Sequence, residues 1–154
     1  MGCVPAAICA LSNALAYGPL ACPDSKKNLI FASLSIAKTR AHVVALVQGI
    51  ENGEPILTTG LILQELLQGF SGHKSREQIL ERFAALPLLV PDRQDHIDAA
   101  ELRNACRRHG VQVGTIDALL AQLCIRHNLL MLTSDNVFQS IANHCALRLW
   151  QAPG

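Results

Sequence analysis

Aromatic residues are scarce in this chain, at 4% of 154 residues, so a core must be built from Leu, Ile, Val and Ala. Such material suits helices packed on a buried parallel sheet. Charge is also sparse and balanced: 16% of residues are charged and the net charge is +1. Bulk charge therefore does not draw the chain to nucleic acid or membrane, and any nucleic-acid contact must come from a local patch. The six cysteines (Cys3, Cys9, Cys22, Cys106, Cys124 and Cys145) form no CxxC pair, and no His spacing beside them suits zinc. They read as thiols filling core space in a reducing, cytoplasmic compartment. Met1 to Pro23 carries no charge at all. It lacks the basic start of a signal peptide, and Pro5, Asn13 and Pro19 break it before it could span a membrane. There is no GxGxxG, P-loop or GxSxG elbow, no Cys–His pairing, no internal repeat and no low-complexity tract.

What is present is apolar patterning. Half of the residues are hydrophobic, enough for one ordinary domain with a real core. From about Ala37 the chain alternates regularly. Ala41–Gln48 reads as a helix with its exit at Asn52-Gly53, and Pro55–Thr58 as a strand. Leu61–Phe70 reads as a helix whose polar Gln64, Glu65 and Gln68 share one side. Ser75–Leu86 is amphipathic, with Ser75 and Gln78 spaced as a capping box and Pro87 as its stop. A short strand at Leu88–Val90 is followed by a helix over Asp95–His109, ended by Gly110. Thr115 caps a helix over Ile116–His127, and Leu129–Leu132 is a buried strand. Ser134-Asp135 opens a last helix, Val137–Asn143, before a closing strand, Leu147–Trp150. This alternation predicts an α/β fold: a central, mostly parallel sheet flanked by helices. The organisation expected is a segment over residues 1–36 that departs from the pattern, a domain over 37–150, and a tail over 151–154.

Three acids fall where such a fold forms sites. Glu65 sits in an apolar helix, Asp117 in the first turn of a helix after a loop, and Asp135 just past a buried strand. Converging carboxylates suit a hard divalent cation, Mg²⁺ or Mn²⁺, and phosphodiester hydrolysis. Each acid also has a plain structural reading: a favourable helix-dipole contact for Asp117, a cap for Asp135, a solvated face for Glu65. Arg103 and Arg107 are one turn apart on their helix and can act together on RNA phosphates, or simply favour the helix C-terminus. Lys26, Lys27, Lys38 and Arg40 form a looser basic group.

The runs around the acids carry a family resemblance. Thr58 to Phe70 (TTGLILQELLQGF), Gly114 to Ala121 (GTIDALLA) and Leu132 to Phe138 (LTSDNVF) resemble, in order, the acidic motifs of PIN-domain toxins of the VapC type. The resemblance spans about Thr39 to Trp150. It implies a PIN-like three-layer fold and a toxin of a type II toxin–antitoxin pair. It further implies that Glu65, Asp117 and Asp135 hold Mg²⁺ or Mn²⁺ for RNA cleavage, with a cognate antitoxin as partner and a homodimer as assembly. The family's first motif is a strand ending in Asp. Two alignments are open: Asp24-Ser25, or Leu29–Ile36, in which Phe31 stands where the Asp belongs. A PIN-like domain that binds a partner without cutting RNA is the alternative. A metal-phosphatase domain would need an Asp nucleophile after the first strand, and none is offered.

Overall fold

The structure, a computed structural model, describes residues 30–32, 44–45, 48–49, 51–69 and 73–150. Five short strands form one sheet: β1 (Ile30–Ala32), β2 (Ile56–Thr59), β3 (Leu88–Leu89), β4 (Leu130–Leu132) and β5 (Arg148–Leu149). Among the described residues, helices with continuous bounds are α1 (Gly60–Gly69), α2 (His73–Ala84), α3 (Arg93–Arg108), α4 (Thr115–Arg126) and α5 (Asn136–Ala142). Residues 44, 45, 48, 49 and 51 are also helical, and the chain leaves this stretch through Gly53, whose φ of +67° suits glycine.

The sheet order is β3-β2-β1-β4-β5, and every neighbouring pair is parallel. The central strand β1 pairs Phe31 with Leu57 on one side and with Met131 on the other. It lies within the first 36 residues, which the sequence set apart. From β1 the chain steps outward to β2 and β3, then crosses back to β4 and on to β5. Right-handed crossovers running in opposite directions put their helices on opposite faces, which gives three layers. The reversal also creates a crevice at the carboxyl ends of β1 and β4, where doubly wound sheets place their sites.

Helix α4 is buried over Ala118–Ala121, Leu123 and Cys124, almost all round, as expected of a helix between neighbours. It packs on α3 more extensively than any other two elements meet. Ile62, Phe83, Met131, Phe138 and Ile141 complete the same core. An ion cluster ties the α3–α4 pair: Arg126 Nη1 lies 2.7 Å from Asp92 Oδ2 and 2.8 Å from Asp95 Oδ2. Asp92 and Asp95 also cap α3 reciprocally. That box was missed in the sequence, so α3 begins two residues before the expected Asp95. Two expected caps are corrected. Ser75 falls inside α2, which starts at His73, and Gly114, not Thr115, is the N-cap of α4. Cys106 and Cys124 are buried free thiols and Cys145 is a half-buried one. Burial pushes the Cys124 thiol far up, so it stays protonated. Among the described residues no helix is long and apolar enough to cross a membrane.

Candidate active site

Each of the three acids is delivered by a different junction. Buried Thr59 ends β2, and its Oγ1 accepts the Ile62 N–H at 3.4 Å, which starts α1 directly at the strand end. Ile62 and Leu66 then face the core, leaving Gln64, Glu65 and Gln68 exposed together, as the sequence predicts. Asp117 is the third residue of α4, and the backbone N–H of the N-cap, Gly114, holds its carboxyl down. This is the return half of a capping box. Asp135 follows β4 and caps α5: Oδ1 accepts the Val137 N–H at 3.0 Å, and its own N–H donates to Thr133 Oγ1 at 3.2 Å.

Electrostatics join the three. Partial desolvation raises the exposed Glu65 carboxyl above the usual range, and the negative charge of Asp117 raises it further. Burial likewise raises Asp117, with the charge of Asp135 adding to it and the Gly114 N–H partly opposing. Like charges disfavour each other's ionised form when they share a site. Glu65 of α1 and Asp135 at the start of α5 are therefore each coupled to Asp117 of α4, the shared member. This mutual repulsion is what a bound cation would relieve. Among the described residues no three His, Cys, Asp or Glu side chains stand close enough to enclose a metal ion. Mg²⁺ does not require such a cage, since it is commonly held by one or two carboxylates, waters and substrate phosphate. The donor set, hard oxygens paired through Asp117, fits such an ion.

Strand order sets the carboxyl ends of β1 and β4 side by side, and Asp135 follows β4. On the β1 side the strand Ile30–Ala32 carries no acid. Asp24 lies outside the described residues, as do Lys26, Lys27, Lys38 and Arg40. Arg103 and Arg107 are exposed on the last turns of α3. Arg103 Nε donates to the Val113 carbonyl at 2.8 Å, in the loop that leads to Asp117.

Gly114 is the residue that sequence reasoning passed over. A Cβ there would lie 2.7 Å from Asp117 Oδ2, so the carboxylate occupies the space a side chain would need. The signal was present as Gly114-x-x-Asp117, the spacing of an N-cap to the third helical residue.

The family model for the PIN domain matches residues 28–144. A comparison with curated proteins finds no match. Among solved structures, VapBC2 from Rickettsia felis, bound to a DNA fragment from its promoter, is similar at TM-score 0.58 and 20% identity, over 79% of this chain and 97% of that one. FitAcB from Neisseria gonorrhoeae is similar at TM-score 0.56 and 14% identity, over 80% of this chain and 97% of that one. At these identities the likeness is one of fold.

Proposed function

The chain belongs to the PIN-domain family, and from that premise we propose that it is a Mg²⁺- or Mn²⁺-dependent endoribonuclease, the toxin of a type II toxin–antitoxin pair. The observation that carries this reading is the coupling of Glu65 and Asp135 through Asp117. These three residues would hold the cation or orient its waters. The ion, when bound, supplies an acidified water and neutralises charge on the phosphate. The protein's part is to fix its carboxylates. Asp117 is held by the Gly114 N–H, Asp135 is aligned by the Val137 N–H, and Glu65 is presented on the exposed side of a helix anchored by Thr59. Arg103 and Arg107 lend positive charge beside the loop to Asp117 and meet RNA phosphates. The protein acts in the cytoplasm and forms a homodimer. Its antitoxin is the counterpart of the partners in the VapBC2 and FitAcB structures that the fold resembles.

One observation favours a second reading, a PIN-like domain that binds antitoxin without cutting RNA: β1 carries Phe31 and no acid. The readings separate in an RNA cleavage assay with Mg²⁺ or Mn²⁺, run with and without EDTA on wild type, Glu65→Gln and Asp135→Asn. Metal-dependent cutting lost in both variants supports the nuclease. No cutting, together with a stable complex formed with the product of a small neighbouring reading frame, supports the binder.

A further inference from the structure

We propose that Arg103 is a positioning residue for Asp117, acting through the Val113–Gly114 peptide group; the inference rests on the nuclease reading of Asp117. The carbonyl of this one peptide accepts Arg103 Nε–H at 2.8 Å, and on its other side Asp117 Oδ2 stands beside Gly114, whose N–H holds the carboxyl down. A trans peptide is planar, so its C=O and N–H point in opposite directions. Fixing the oxygen from the α3 side therefore fixes where the N–H points on the α4 side. A guanidinium stays charged at all working pH, and a charged donor on the carbonyl polarises the peptide and strengthens the bond made by its N–H. The other anchors of this segment leave that plane to Arg103. Val111 N–H bonds the Cys106 carbonyl at 3.0 Å, the Val113 side chain is buried, and Gly114 has no side chain with which to cap α4. Asp117 Oδ2 stands 2.7 Å from where a Gly114 Cβ would be, so the carboxylate sits over the peptide that Arg103 holds. Arg107, one turn further along α3, has its backbone carbonyl in the helix cap and lies past this relay.

The test compares wild type with Arg103→Gln, Arg103→Lys and Arg107→Gln, using amide exchange and Mn²⁺ binding without RNA. In Arg103→Gln the Gly114 amide is expected to exchange roughly tenfold faster and Mn²⁺ to bind roughly tenfold more weakly, while the Leu120 and Leu123 amides keep their protection. Arg103→Lys, which keeps a cationic donor, restores much of both, and Arg107→Gln changes neither. In an Asp117→Asn background, Arg103→Gln produces no further loss of Mn²⁺ binding. The proposal is overturned if Gly114 exchange and Mn²⁺ affinity in Arg103→Gln equal those of wild type. It is equally overturned if the loss persists unchanged in the Asp117→Asn background. If Arg103→Gln does not fold, the comparison rests on Arg103→Lys: wild-type Gly114 protection and Mn²⁺ affinity support the relay, and loss of both with the fold intact overturns it. Should wild type bind no Mn²⁺, the nuclease reading fails, whereas Gly114 exchange still decides whether Arg103 sets the peptide.

Discussion

Gly114→Ala tests whether the start of α4 positions Asp117. The N-cap backbone at φ −66° and ψ 157° is open to any residue, so alanine meets no backbone strain there. Replacing glycine at a compatible position stabilises by about 0.4–1 kcal/mol through the unfolded chain. Alanine is a poorer N-cap than glycine by about 0.5–1 kcal/mol, so the two effects nearly cancel. The cost falls on Asp117. Its Oδ2 must withdraw from the 2.7 Å approach to the 3.4 Å of ordinary contact, which pulls it off the Gly114 N–H. A hydrogen bond to a charged group contributes about 1.5–3 kcal/mol, and half-exposure of Asp117 favours the lower end. With about 1.4 kcal/mol per decade of rate, Mn²⁺-dependent cleavage should fall roughly 10- to 100-fold, and urea unfolding should lose the same bond, a cost of up to about 1.5–3 kcal/mol. Single-turnover cleavage at saturating enzyme and equilibrium urea denaturation read the two effects. Full activity with an unchanged Mn²⁺ dependence would refute the reasoning, as would a loss accounted for by unfolding.

Three further outcomes are expected. The folded pKa of Asp117 is raised, so its charged form opposes folding: the penalty is absent below the ordinary value of 3.8 and complete above the raised one. Asp117→Asn without divalent ions should then melt higher than wild type at neutral pH, by roughly 1–3 °C, and lose that advantage in acid; added Mn²⁺ should favour wild type instead. Phe31→Asp, in the strand between β2 and β4, should tighten Mn²⁺ binding and raise cleavage, measured by calorimetry and RNA turnover; no change in either would place the missing acid elsewhere. Leu123→Ala, at a fully buried position of α4, should cost about 3 kcal/mol in urea unfolding.

Much of this was legible because the signals are local. Glu65 was readable on the polar side of α1, and Asp135 as a carboxylate between a buried strand and a helix, since each depends on neighbours within a few residues. Gly110, at φ +78°, ended α3 as its sequence position predicted. The features that escaped are non-local or shared. Strand β1 falls in Leu29–Ile36, one of the two readings open for the first motif, but its place at the sheet's centre comes from pairing with residues 26 and 100 positions away, as in Ile30↔Ile56 and Ile30↔Leu130. The crevice between β1 and β4 follows from strand order, which no local pattern encodes. The clamp of Arg126 on Asp92 and Asp95 joins the far end of α4 to the start of α3 across 34 residues. Thr115 looked like the cap of α4 because threonine caps well, yet the cap bond comes from Asp117 reaching back to a glycine.

The claim that Asp117 anchors a metal-using nuclease site is tested most directly by cleavage of one defined RNA. Wild type and Asp117→Asn are each assayed with Mn²⁺ and with EDTA. Wild type is expected to cut with Mn²⁺ and stop with EDTA, and Asp117→Asn to be slower by roughly 100-fold or more. Wild type cutting no better than Asp117→Asn, or cutting that survives EDTA, would contradict the account.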